Sequence, residues 1–301
     1  MSKTVVLGGS GFIGRWVCRS LVSAGRTVYV VDRKGAVEDV HGSVAADARD
    51  PAVISHVVEE GDTVVHLFHS SIPAESMSDP AAELVENVIP YIRVLETIAE
   101  KGAGLVVYSS SGGQVYGNAA EFPIPESEKE MPISNYGIAK LAMEHFTRVT
   151  TYKSGVPHII LRIGNPYGPL QELSNSHGIV PALFRAVRDN TVVRIFGGGI
   201  TVRDYVYIED VAESIRLLCE TGACNETVNI GTGRGTSLSG LIKMVEKIAG
   251  GRVNLVEEPL RKSDVMENVL DISHLQELTG YTPAVGLEEG LTRFRDYFYS
   301  D

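Results

Sequence analysis

The sequence predicts an α/β protein built on a doubly wound parallel sheet, with a smaller C-terminal α/β lobe for a substrate. Three observations lead there. Near-continuous apolar runs alternate with helical stretches through the first half, as in strands covered on both faces. The first run opens into glycines at three-residue steps and then into a helical pattern. Further on, a helix carries a tyrosine and a lysine one turn apart, after serines at the end of a strand.

Thr4–Leu7 is the first strand and residues 12–24 the first helix. Between them, Gly8 permits a tight turn and Gly11 lets a pyrophosphate approach the backbone. Gly14 lets the helix pack closely on the strand. Phosphates would sit on the free N–H groups of the helix start, where Phe12 and Ile13 fall. The second strand, residues 27–31, ends in Asp32, at the spacing where a carboxylate meets an adenosine ribose. This is the Rossmann-type arrangement for a dinucleotide. Asp32 argues for NAD, because a carboxylate accepts from both ribose hydroxyls and repels a 2′-phosphate. Arg33 beside it is a residue that could hold such a phosphate. A short strand, residues 44–46, leads to Asp47-Ala48. Asp47 is placed either to meet the adenine amino group or to cap the helix starting at Pro51.

The strand at residues 63–68 runs into His69-Ser70-Ser71. His66 and His69, three apart on a strand, point to opposite faces and cannot share an ion, so no metal is expected. His66 reads as a core residue. Leu67, Phe68 and His69 stand at the strand's carboxyl end, where ligands dock in such sheets. Residues 80–101 read as a long helix kinked or interrupted at Pro90. A strand at residues 105–108 then enters a hydroxyl- and glycine-rich turn, Ser109 to Gly117, and a Pro/Glu-rich surface loop follows.

In the next helix, Ile138, Ala142, Phe146 and Val149 repeat at helical spacing as one apolar face. Tyr136 and Lys140 project from one side of it. An ammonium near a phenol favours the phenolate, so the Tyr136 pKa is expected to fall, as suits a general base near neutral pH. A strand at His158–Ile163 closes the dinucleotide-binding domain, placed at residues 1–164. Residues 165–301 are mainly the substrate lobe, with some later strands returning to the first domain.

The net charge is −11 and no Lys/Arg block stands out, so nucleic acid is not an expected partner. No apolar run reaches membrane-spanning length and no charged-then-apolar leader precedes the first strand, so neither membrane nor secretion is expected. Three cysteines, none in a C-x-x-C, fit a reduced cytoplasmic setting.

Together these features resemble the extended short-chain dehydrogenase/reductases, of the NAD-dependent sugar epimerase/dehydratase family. The likeness continues through Val115-Tyr116-Gly117, Arg162-Ile163-Gly164-Asn165-Pro166-Tyr167-Gly168-Pro169 and Arg203-Asp204-Tyr205-Val206-Tyr207-Ile208-Glu209-Asp210-Val211. Asn229-Ile230-Gly231-Thr232-Gly233 and Arg261-Lys262-Ser263-Asp264-Val265 complete it. The resemblance implies bound NAD, a nucleotide-diphosphate sugar as substrate, and a homodimer paired through the Tyr136 helix. It implies that Asn165 and the backbone near Val180 hold the diphosphate or nucleoside, and that Arg203 and Arg261 neutralise the diphosphate. Many members carry the catalytic Ser or Thr five residues before the glycine of Val-Tyr-Gly. Here that position is Gly112, so Ser111, or else Ser110, is expected to supply the hydroxyl beside Tyr136 and Lys140.

The leading expectation is 4-epimerisation of a UDP-hexose through a 4-keto intermediate. The alternatives are an NAD(P)H-dependent reductase of a 4-keto nucleotide sugar and, in another class, a nucleotide-sugar or dinucleotide binding protein without turnover.

Overall fold

A computed structural model of the chain describes residues 2–35, 37–71, 76–171, 178–261 and 264–300. Its first half alternates strands and helices: β1 (Thr4–Leu7), α1 (Phe12–Ser23), β2 (Val28–Asp32), β3 (Gly42–Ala45), α2 (Pro51–Val57) and β4 (Thr63–His66). Then come α3 (Pro80–Glu83), a π-turn (Leu84–Val88), α4 (Ile89–Glu100), β5 (Leu105–Ser111), α5 (Gly112–Val115), α6 (Asn135–Ser154) and β6 (His158–Ile163). The second half holds β7 (Asn165–Tyr167), α7 (Ile179–Asp189), β8 (Val192–Phe196), β9 (Val202–Tyr207), α8 (Ile208–Leu218) and β10 (Glu226–Ile230). It ends with β11 (Gly235–Ser237), α9 (Leu238–Ala249), β12 (Asn254–Glu258), β13 (Glu267–Asn268), α10 (Ser273–Thr279) and α11 (Leu287–Tyr299).

Seven parallel strands form the main sheet in the order β10-β6-β5-β4-β1-β2-β3. The order reverses between β1 and β4, the crevice where ligands of such sheets sit. Valines and isoleucines of the strands are buried on both faces. One face is covered by α2, α4 and α6, the other by α1, α8 and α10. This is the Rossmann-like sheet expected. β10, from the second half of the chain, pairs with β6 at its edge. The C-terminal lobe packs α7, α9 and α11 around Phe184, Leu241 and Phe294. It also carries a small sheet, β11-β9-β13 with β7 on β9, and a β8–β12 pair. No described helix is long and apolar enough to cross a membrane.

The interruption expected at Pro90 is present: residues 80–101 run as α3, the π-turn and α4. Pro90 has no N–H to give the Glu86 carbonyl, and the turn before it widens, with the Ile89 N–H reaching back to Leu84. One local expectation needs correction: β5 continues through Ser111, so the three serines are strand residues and the chain turns at Gly112.

The apolar stripe of α6 faces outward: Ile138 and Val149 are each 50% exposed and Phe146 40%. The buried face is polar, with Lys140, Glu144, Thr147 and Thr151. Its partners explain this. The sheet and α4 present Ser110, Arg162 and Tyr91, whose buried polar atoms need hydrogen bonds. Periodicity locates a face of a helix but not what it meets.

Candidate active site

The glycine turn after β1 lies at the switch point. Gly8 has φ +87°, and a Cβ there would stand 3.0 Å from the Phe68 amide nitrogen. A Cβ on Gly14 would collide with the Gly8 carbonyl. Gly11 precedes α1 and has no side chain to cap it, so the first N–H groups of the helix, those of Phe12 and Ile13 included, are left for a ligand. Asp32, at the end of β2, accepts from the Ser10 amide at 3.2 Å and the Lys34 amide at 2.9 Å.

Beside it lies a recess of about 90 Å³ lined by Gly8, Val31, Asp32, Arg33, Asp47, Ala48, Arg49, Phe68, His69 and Ser70. The capping alternative for Asp47 is corrected: Asp50 caps α2, accepting from the Ala52 amide at 2.9 Å. Asp47 lines the recess with its carboxylate held by Arg49, Nη2 to Oδ2 at 2.7 Å, which keeps its carboxyl below the usual range. Arg49 carried no signal in the sequence; its place is set by the turn between β3 and α2.

A second cavity, of about 320 Å³, continues from the glycine turn. Gly11, Phe12, Ile13, Gly14, Leu67 and His69 line one side; Ser109, Ser110, Ser111, Tyr136, Lys140, Gly164 and Pro166 line the other. His69 belongs to both spaces. His66, by contrast, is sealed among Phe68, Tyr91 and Tyr108.

Tyr136 and Lys140 share this cavity, with Lys140 Nζ 5.6 Å from the centre of the Tyr136 ring. The ammonium donates to the Ser109 carbonyl at 2.8 Å. Burial pushes the Lys140 pKa down to about 7, against an upward pull from Glu144 and Glu83. The expected lowering of the Tyr136 pKa is not found: burial, and then the Glu83 carboxylate, push the phenol up. Here the cost of desolvating a phenolate exceeds the help of one nearby ammonium.

Alternation along β5 separates the serines. Ser110 points to α6 and donates to Glu144 Oε1 at 2.5 Å. That carboxylate also accepts from Arg162, Nε at 3.1 Å and Nη2 at 2.8 Å. Ser110 is therefore tied into a buried network behind the cavity, while Ser111 lies on the opposite face of the strand. A Cβ on Gly112 would stand 2.6 Å from Leu270 Cδ1 and 3.0 Å from the Arg162 carbonyl, so a serine does not fit there.

Around the Cβ direction of Gly113 converge Asn165 Oδ1 at 3.7 Å, Ser111 Oγ at 3.9 Å and Asn268 Oδ1 at 4.0 Å. Asn268 is fully buried, donates to the Gly112 carbonyl at 2.8 Å and leaves its Oδ1 without a partner. Nothing in its sequence surroundings marks this residue; its burial comes from the β9–β13 pairing.

The other substrate candidates stand off from this group. Val180 is buried in the first turn of α7, which starts at Gly178 without a side-chain cap. Arg203 on β9 lies two residues before Tyr205, the partner of Asn165 in register. It donates to the Val202 carbonyl, and among the described residues no carboxylate comes within ion-pair distance. Asp204, its neighbour, spends its carboxylate on Thr232, Gly233 and Leu270. Burial pushes the Arg203 pKa down. Arg261 is half-exposed, stacked 3.6 Å from the centre of the Phe196 ring and 3.5 Å from Asp264. Lys262 and Ser263 of that motif lie outside the described residues.

The model of the NAD dependent epimerase/dehydratase family matches residues 4–231. The structure of a UDP-glucose 4-epimerase from Thermotoga maritima, solved with UDP-glucose, is 36% identical, with a TM-score of 0.91 over 99% of both chains. A Thermus thermophilus UDP-glucose 4-epimerase solved with NAD is 28% identical, with a TM-score of 0.90 over 99% of both chains. A dTDP-4-dehydro-6-deoxyglucose reductase from Escherichia coli is 28% identical over 77% of this chain and 73% of that protein.

Proposed function

This chain belongs to the NAD-dependent epimerase/dehydratase family, and from that premise we propose that it is a nucleotide-sugar epimerase, acting as a UDP-hexose 4-epimerase through a 4-keto intermediate. The observation that carries this reading is the shared cavity of Tyr136, Lys140 and Ser111, reached from the glycine turn.

The residues present fit NAD. The uncapped start of α1 suits a pyrophosphate, and a side chain at Gly8 or Gly14 would close the turn. Asp32 would hold the adenosine ribose, and the recess beside Asp47 and Ala48 would take the adenine. Lys140 and Tyr136 would meet the nicotinamide end. When bound, NAD supplies a ring that takes up and returns a hydride.

The protein's own groups handle the proton. Tyr136 Oη can take it from the 4-hydroxyl only as a phenolate. The positive charges of Lys140 and of a bound nicotinamide would first have to bring the phenol down from its raised unliganded value and release its proton to solvent. Tyr136 later gives the substrate proton back. Ser111 Oγ donates to the reacting oxygen, which orients the sugar toward Tyr136. Asn165 and Asn268 offer acceptors to neighbouring hydroxyls. Between the two proton transfers the sugar must present its other face, so the diphosphate is the fixed point. Arg203, half-buried and with no carboxylate within ion-pair distance among the described residues, suits two anionic oxygens through its forked donors.

Incubating the purified protein with UDP-glucose and UDP-N-acetylglucosamine, without added NAD, tests this. The 4-epimer should accumulate to equilibrium. Absence of a 4-epimer from every UDP-hexose tried would remove the proposal.

Likeness to the 4-keto sugar reductase, together with Arg33 and Arg49 in one recess, favours a second reading as an NAD(P)H-dependent reductase. Stoichiometric consumption of NAD(P)H by a 4-keto nucleotide sugar would select it. The outward stripe of α6, next to exposed Leu84 and Val85 on the π-turn that packs on α6, suits a second copy of the chain. Sedimentation as a dimer that Phe146→Asp splits is the expected outcome.

A further inference from the structure

Glu83 is a buried carboxylate bonded to His69, whose ring packs on Tyr136, and the mechanism above gives it no task. It ends α3. Its Oε2 accepts from His69 Nε2 at 3.1 Å and from Asn87 Nδ2 at 3.2 Å. Asn87 Oδ1 in turn accepts from the Ser70 amide at 2.8 Å and the Ser70 hydroxyl at 3.0 Å. The backbone leaving β4 is thus stitched to the π-turn. With Nε2 facing a carboxylate, His69 carries its hydrogen there and Nδ1 is bare. Nδ1 is buried without a partner. The imidazole meets the Tyr136 ring edge to face, centroids 4.7 Å apart.

Counting charges singles out this carboxylate. Four charged groups are buried behind the cavity: Lys140, Arg162, Glu144 and Glu83. Glu144 is matched by Arg162 through both oxygens and by Arg148 Nη2 at 3.2 Å, and Arg162 also pairs with Glu130, so this group of two acids and two arginines balances itself. The ion-pair partner of Glu83 is His69, which burial, and then Lys140, hold uncharged at neutral pH, its pKa pushed down to about 4. Lys140 donates to a carbonyl and, among the described residues, has no carboxylate within ion-pair distance. One ammonium and one carboxylate are left, with the His69–Tyr136 contact beside them.

We propose that Glu83, oriented by His69, is the counter-charge that keeps Lys140 an ammonium inside the buried cavity, and so a positioning residue for the reacting couple. The proposal rests on the reading of Tyr136 and Lys140 as that couple. The other titratable groups facing Lys140 are Tyr136 and Glu144 on α6, Tyr108 on β5, and His66 and His69 at and beyond the end of β4. Burial holds both tyrosines as phenols and both histidines neutral, and Arg162 offsets Glu144. Glu83 is the facing charge without a cation of its own among the described residues.

Carbon NMR of protein labelled at the lysine side-chain carbons reads this without any sugar. The Lys140 signal is assigned by its loss in Lys140→Met. In the wild type it should titrate near 7. Glu83→Gln, which keeps the shape and removes the charge, should lower that midpoint by about one pH unit. Glu83→Asp should restore it. His69→Phe, which strips the carboxylate of a donor, should move it in the Glu83→Gln direction. The basic limb of the kcat profile should follow, with KM within about twofold. An unmoved midpoint in Glu83→Gln overturns the proposal, as does equal movement in Glu83→Gln and Glu83→Asp. If Glu83→Gln does not fold, an unmoved midpoint in His69→Phe overturns it instead. Should the midpoint respond in a protein that turns over no UDP-hexose, this inference stands and the epimerase reading falls. Epimerase activity with an unresponsive midpoint does the reverse.

Discussion

Lys140→Met should make the protein more stable and less active, by amounts that depend on pH. The ordinary value for a lysine ammonium is 10.5, and burial takes Lys140 to about 7. At about 1.4 kcal/mol for each pH unit, the charged side chain destabilises the fold by about 5 kcal/mol at pH 6, an upper figure. Losing the bond to the Ser109 carbonyl returns about 1 kcal/mol of that. The sign follows from proton linkage. Between 7 and 10.5 the unfolded chain binds more protons here than the folded one, so wild-type stability rises with pH across that window. Below 7 both states are protonated and the penalty is constant. Methionine carries no such dependence. The advantage of Lys140→Met should therefore shrink by about 3 kcal/mol between pH 6 and pH 9. Urea denaturation of both proteins at the two pH values measures it, because titrating groups not coupled to Lys140 cancel in the difference, and the coupled histidines, held well below their ordinary pKa, stay neutral across this window. An advantage that is the same at both pH values, or a variant less stable than wild type at pH 6, would refute the reasoning. The lost activity is the counterpart: a destabilising ammonium kept in a core suggests a functional need for it.

Three other outcomes follow from the geometry. Gly112→Ser should cost about 1–3 kcal/mol, since its Cβ would press on Leu270 and the Arg162 carbonyl; unchanged urea midpoints would contradict the steric account. Ser110→Ala should lose about 1–2 kcal/mol of stability and keep most activity, whereas Ser111→Ala should keep stability and lose about 10–100-fold in kcat. A reversed pattern in paired kinetics and melting curves would exchange their roles. Arg203→Met should raise KM for a UDP-sugar at least about tenfold and leave NAD affinity alone, as titration calorimetry with each ligand can decide. Equal weakening toward both ligands would mean that the arginine supports the fold instead.

Much of the dinucleotide half was legible because its signals are local. A strand, a glycine turn and a helix start sit within a few residues, and Val5, Val6 and Leu7 can only be core. Tyr136 and Lys140 are legible for the same reason, as one turn of one helix. What failed was the inference from a pattern to its surroundings. Ile138, Phe146 and Val149 read as a face but not as an outward one, because the polar demands of Ser110 and Arg162 are invisible from α6. The phenol was expected to be acidic because its nearest cation lies in the next turn. The burial that outweighs that cation comes in part from His69, which packs on the phenol from beyond the end of β4. His69 and Glu83, 14 residues apart, and Gly112 and Asn268, 156 apart, meet only once the sheet and the small lobe are assembled.

The late arrival of β10 bears on how this polypeptide is made. Until Glu226–Ile230 leave the ribosome, the outer edge of His158–Ile163 offers bare amides and carbonyls to any passing strand. The hydrophobic flank later sheltered by Ile208–Leu218 is open for the same interval. Prematurely terminated products and N-terminal proteolytic fragments should therefore be sticky and short-lived, and synthesis of the second half should act as the natural safeguard of the first.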